Sequence, residues 1–252
     1  MANPALSNNP AFRQPAAQSA ATLEELYQRP AASPADTGRM TYEDTAVKTV
    51  ALFAVLLATG VVGWIFPALA IVGAIGGFVL ALVNTFKREP SVPLIVGYAA
   101  LEGLFVGGIS RIFEGAFGGG LVMPAVVATL VTFGVTLALF ASGRIRASAK
   151  ATKIFLIAMV GYLVFSLVNV GIRLFTDIGG AFGLMSGPLG IIVTLLVVIM
   201  AAYALVLDFD QIQQGVRGGL PAKYGWTGAF GLMVTLVWLY VEFLRFFAIL
   251  RE

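Results

Sequence analysis

The 252-residue chain contains no cysteine and no histidine. Those two absences together remove disulfides, thiol nucleophiles, imidazole bases and the usual zinc ligands. No metal site and no cofactor are expected, and any response to pH must come from carboxylates. Charge is scarce as well: 12% of residues are Asp, Glu, Lys or Arg, against about 25% in soluble domains. A water-soluble enzyme, a nucleic-acid module and a disordered regulator are therefore poor readings. The pI near 9.3 comes from loop lysines and arginines rather than from a basic binding face, so no nucleic-acid partner is implied. What the chain does have is apolar surface. At 59% hydrophobic residues and a mean hydropathy of +0.92, its first partner is the lipid bilayer.

Residues 1–45 carry five of the 11 prolines and an excess of Ala, Ser, Asn and Gln. Such a stretch buries too little apolar surface to offset ordering entropy, and it reads as a disordered cytoplasmic tail. A short structured piece is expected at Thr22 to Tyr27. The first residues lack a basic n-region and an apolar h-region, so no signal peptide is expected. Thr41, three residues before Asp44, has the spacing of a helix cap just ahead of the first apolar run.

Residues 46–252 form the second unit, an all-α transmembrane domain. Seven apolar stretches lie at about 46–66, 68–86, 92–113, 121–142, 154–174, 188–214 and 225–250, each near the roughly 20 residues needed to cross a hydrocarbon core. Pro67, Lys87 to Pro90, Gly118 to Gly120 and Gly143 to Arg146 mark the first breaks. The runs are continuous rather than alternating, which rules out transmembrane strands. Twelve of the 16 basic residues fall in the tail, at Lys48 just inside the first stretch, and in the even-numbered loops. Positive loops stay in the cytoplasm, so the N-terminus is expected there and the C-terminus across the membrane. The pairs Gly73-x-x-x-Gly77 and Gly103-x-x-x-Gly107 suit close helix packing.

Ionisable groups at membrane depth cost about 2.5–3.5 kcal/mol each on insertion, so the few that occur are the candidates for function. Glu102 lies ten residues into the third stretch, about 15 Å deep, as a backbone-satisfied acid or as a pathway-lining one. Asp208 and Asp210 end the sixth. Two residues apart, they point about 200° away from each other, so one faces the bundle and the other a loop or headgroups. Thr235 and Glu242 share one face of the seventh stretch, and Glu242 is spaced to pair with Arg245 as a structural ion pair. Arg111 with Glu114, and Arg173 with Asp177, have the spacing of interfacial snorkelling pairs. No lysine sits inside the last stretch, as a retinal Schiff base would need, and no serine–lysine or facing aspartate pair marks an intramembrane protease. No enzyme is expected.

Two motifs point to a family. Leu207-Asp208-Phe209-Asp210-Gln211-Ile212 and Leu244-Arg245-Phe246-Phe247-Ala248-Ile249-Leu250 resemble the last two helices of the transmembrane Bax inhibitor motif family. Glu102-Gly103-Leu104 in the third stretch fits the same pattern, and the resemblance covers residues 46–252. It implies a bundle whose last helix is enclosed by the other six, and a pH-sensitive calcium leak gated by two aspartates near the cytoplasmic mouth. Asp208 matches the first aspartate. The second position holds either Glu242, by matching Leu239-Tyr240-Val241-Glu242-Phe243, or Thr235, by matching the closing Leu-Arg-Phe-Phe run. Depth favours Thr235, which lies about 15 Å into its helix, whereas Glu242 lies about 25 Å in. One carboxylate of the pair is then missing. The expected function is a passive cation conduit with Asp208 as gate and Thr235, Glu242, Glu102 and Asp210 along the way. The alternative is a membrane-embedded regulator that binds another membrane protein, such as a membrane protease. The abundance of Ala, Gly and Val, with arginines outnumbering lysines, suggests a bacterial inner membrane.

The orientation is directly testable because any introduced cysteine is the chain's only thiol. In sealed cells, Ser148→Cys is expected to be shielded from a membrane-impermeant maleimide and Ser186→Cys to react. The reverse pattern would invert the topology.

Overall fold

The computed structural model describes residues 38–176 and 180–251. The Thr22–Tyr27 segment and Asp177 lie outside them. Seven helices follow in order: α1 (Tyr42–Ile65), α2 (Leu69–Phe86), α3 (Val92–Ala116), α4 (Val122–Ala141), α5 (Ala149–Phe175), α6 (Gly187–Arg217) and α7 (Gly225–Ile249). Short 3₁₀ turns at Gly180–Met185 and Ala222–Tyr224 precede α6 and α7. All seven are long and apolar enough to cross a membrane, and no strand occurs among the described residues. Every helix end falls within five residues of its apolar run.

The helix starts have local causes. Thr41 caps α1, its hydroxyl accepting the Asp44 N–H at 3.0 Å, so the helix begins four residues ahead of the apolar run. Ser148 caps α5 in the same way through Ala151, and α3 and α6 start with a proline in the first turn, where the missing N–H costs nothing. Between α3 and α4 the three glycines at 118–120 all take positive φ, from 73° to 81°, conformations that a side chain would strain.

Helix α7 is the axis of the bundle. It packs against α1, α3, α4 and α6, and α5 reaches it through Tyr162, while α2 lies against α3. Three apolar clusters make up the core, and each is built on α7: Leu232, Leu236 and Leu239 in the first, Phe230, Met233 and Val237 in the second, Tyr240, Leu244 and Ile249 in the third. Lipid tails are as apolar as leucine, so contact shape rather than water exclusion holds such helices together. Glycine supplies much of that shape. A Cβ at Gly103 would strike the Thr59 hydroxyl and the Leu56 carbonyl, and one at Gly107 the Gly60 carbonyl, fixing the closest approach of α1 and α3.

Gly107→Ala is therefore expected to push α1 and α3 apart and lower the melting temperature in detergent by about 5–10 °C. Gly134→Ala, which meets nothing within 4 Å, should leave it unchanged. Equal shifts in the two variants would refute close glycine packing as the cause.

Candidate functional site

The buried polar groups of α7 fall into two stations. The first faces α6. Gly228, Gly231 and Thr235 lie on one face of α7, and Asp208, Ile212 and Gly215 on one face of α6. Small residues let the two helices close up: a Cβ at Gly228 would lie 2.8 Å from the Ile212 side chain, and one at Gly231 3.3 Å from the Asp208 Oδ1. Thr235, itself buried, then donates its hydroxyl to the Asp208 Oδ2 at 2.6 Å. Both residues lie about 14–15 Å from the ends of their helices that flank the α6–α7 loop.

Between Asp208 and that loop is a cavity of about 170 Å³ whose walls include Met40, Asp208, Gln211, Tyr224, Thr227 and Gly231. Its walls are largely apolar, and Asp208, Gln211, Tyr224 and Thr227 supply the polar groups that suit a bound water. The segment ahead of α1 closes over it. Met40 donates its N–H to the Leu220 carbonyl at 2.7 Å, Ala222 donates to the Gly38 carbonyl at 2.8 Å, and the Met40 side chain is buried against Gly215. Lys48 ties the same loop to α1 by donating to the Ala222 carbonyl at 2.7 Å while paired with Asp44.

The second station is the ion pair of Glu242 and Arg245. Glu242 is 2% exposed, which at membrane depth demands full satisfaction. It accepts from Arg245, from the Tyr162 hydroxyl at 3.0 Å and from the Trp238 Nε1 at 3.1 Å. Arg245 also donates to the Tyr162 oxygen at 2.8 Å and to the Met185 sulfur at 3.1 Å. Met185 is placed by the 3₁₀ turn, which Asn169 of α5 holds through the Phe182 carbonyl and the Leu184 N–H.

The candidates thus divide. Asp208 and Thr235 come together at the cavity. Asp210 points elsewhere and accepts from Gln214 at 2.6 Å. Glu102 lies at the α2–α3 interface, where Gly77 makes room for its carboxylate and Tyr98 interacts with it from one turn earlier; it is remote from the α6–α7 pair. Leu236 and Leu239 fill the core between Thr235 and Glu242. The Arg111–Glu114 pairing does not form. Glu114 instead accepts the N–H groups of Gly120, Leu121 and Val122 at the start of α4, where the helix dipole favours an anion, and Arg111 lies over the Trp64 ring at 5.5 Å. Sequence spacing did not reveal Met40, Gln211, Tyr162 or Met185. Trp238 was within reach, since it stands one turn before Glu242.

Removing one partner of the buried pair leaves an uncompensated charge. Glu242→Leu and Arg245→Leu are each expected to cost about 3–5 kcal/mol of folding stability, and the double variant much less than their sum. Additive losses in a denaturation series in detergent would show that the pair is not coupled.

Comparison with known proteins agrees with the geometry. The family described as Bax inhibitor 1 like matches residues 3–252. An uncharacterized protein of Chlamydia muridarum is 32% identical over 93 residues, a match that takes in 35% of this chain and 39% of that protein. A bundle of seven apolar helices built around the last of them, together with a match over nearly the whole sequence, places this chain in the Bax inhibitor 1 like family of membrane proteins.

Proposed function

We propose that the protein is a passive cation conduit, a leak for Ca²⁺, held closed by the hydrogen bond between Thr235 and Asp208. The observation that carries this reading is the carboxylate at the inner end of a cavity that Gln211, Tyr224 and Thr227 also line, latched to the neighbouring helix by one short hydrogen bond of 2.6 Å. A cation entering the cavity meets oxygens of Asp208, Gln211, Tyr224 and Thr227. Ca²⁺ takes six to eight oxygen ligands when held tightly. Among the described residues no group of three or more acids gathers around a point, so the cavity suits brief occupancy and release rather than storage.

Beyond the latch the way is shut by Leu205, Leu236 and Leu239, and opening requires α6 and α7 to separate. The latch sets the cost of that step. A hydrogen bond to a carboxylate is worth about 1.5–3 kcal/mol, or tenfold and more in the closed-to-open ratio. Protonating Asp208 removes the charge that attracts the cation, which gives the conduit its sensitivity to pH without a histidine. The excess of basic residues in the loops on that side supports a cavity that opens towards the cytoplasm of a bacterial cell.

Ca²⁺ entry into proteoliposomes at pH 6 to 8 tests the reading. Thr235→Val, which keeps the shape and removes the latch, is expected to raise flux about tenfold, and Asp208→Asn to lower it and flatten its pH dependence. Unchanged flux in Asp208→Asn would end the gate assignment. No flux in any form, with a membrane protein co-purifying, would favour the regulator instead.

A further inference from the structure

A second cavity lies on the opposite half of the bundle and is of another kind. It is a groove of about 530 Å³ with α1 and α4 as walls and α3 and α7 as floor. Along α1 it runs from Phe53 to Trp64, eleven residues or about 16 Å, which is close to half of a hydrocarbon core about 30 Å thick. It therefore spans one leaflet, starting from the face that bears the α1–α2 loop. Leu57 and Val61 on its wall are 65% and 61% exposed, so the groove is open to the surrounding bilayer.

The few polar groups on its lining are already satisfied. The Thr129 hydroxyl donates to the Ala125 carbonyl at 2.7 Å, the Ser110 hydroxyl is hydrogen-bonded to the Val106 carbonyl, and Ser110 and Tyr240 share a hydrogen bond of 2.6 Å. Nothing is left to hold water, and an apolar groove beside lipid fills with hydrocarbon. At its headgroup end stands Arg111, exposed, with its guanidinium 5.5 Å above Trp64. Glu114, the nearest acid in sequence, is committed to the start of α4, and among the described residues no carboxylate pairs with Arg111.

We propose that this groove is a binding site for one phospholipid, its acyl chain lying along α7 from Trp64 towards Phe53 and its phosphate against Arg111. An arginine fork matches phosphate geometry and keeps its charge at the interface. The floor includes Leu236, Val237 and Tyr240, so the bound chain touches the axial helix within a turn of Thr235. The site stands on the groove and Arg111 alone and holds whether or not the protein conducts ions.

Trp64 makes the site observable. Full-length protein is reconstituted into phosphatidylcholine vesicles containing increasing fractions of acyl-brominated phosphatidylglycerol, and Trp64 quenching is taken as the difference between wild type and Trp64→Phe. A bound lipid gives saturable quenching at a few mole per cent. Arg111→Gln should weaken it about tenfold, and Val126→Phe, which fills the groove, should abolish the saturable part. Arg111 is exposed, so its variant is readable even where Val126→Phe fails to fold. Repeating the series with acyl-brominated phosphatidylcholine tests the headgroup: equal affinity assigns recognition to the phosphate, and weaker binding to net negative charge, either supporting the site. Quenching that rises in proportion to mole fraction and ignores Arg111→Gln would overturn it, as would protection of Trp64 by a co-purifying protein.

Discussion

Hydrocarbon does not accept an unpaired polar side chain, and α7 carries more of them than the helix could show to lipid: Thr235, Tyr240, Glu242 and Arg245 all point from it. That requirement puts α7 at the centre. Each of those groups finds its partner on a different helix or a neighbouring turn, Thr235 on α6, Tyr240 on α3, and the ion pair on α5. The apolar clusters follow from the same arrangement, because a helix anchored from several sides presents apolar residues to every neighbour. Glycines on α1, α3 and α7 then let the surrounding helices come close enough for those hydrogen bonds to reach.

The two polar stations on α7 differ in what they permit. Around Glu242 three donors meet one carboxylate, and Arg245 is shared with Tyr162 and Met185. Such a multiply bonded network opposes movement even though the Arg245 Nε is left without a partner, since any displacement leaves a charge bare in a low-dielectric setting. Around Asp208 one hydroxyl meets one carboxylate beside an open cavity. That contact breaks at the cost of a single hydrogen bond, and Gln211, Tyr224 and Thr227 line the cavity beside it. Rigidity at one end of α7 and a single removable bond at the other make the α6–α7 loop end the natural place for movement.

The fold was legible because its signal is physical and long. Seven runs of apolar residues, broken at prolines, glycines and charges, leave little choice of helix. The pairing of Asp208 with Thr235 followed from matching the closing Leu-Arg-Phe-Phe run and from depth, since at a fixed rise per residue Glu242 lies too far along its helix. Rotation about the helix axis was harder. Glu102 sits at a suitable depth but turns towards α2, because Gly77 leaves a gap there that the spacing on α3 alone does not reveal. Glu114 was assigned to Arg111 by local spacing, whereas three backbone N–H groups at the start of α4 offered it a stronger partner. Tyr162 and Met40 contribute through tertiary packing from distant parts of the chain, and no periodicity announces such contacts.

The central place of α7 has a consequence for how the protein is made. It follows the six other membrane-length helices of the described residues, so during synthesis they enter the membrane around a space that has no occupant yet. Until α7 arrives, Asp208 and Tyr162 lack the partners that later satisfy them. The half-built bundle is therefore the state in which these groups must be shielded by water, lipid headgroups or the insertion machinery. A chain that stops short of α7 loses the axis on which every core cluster is built.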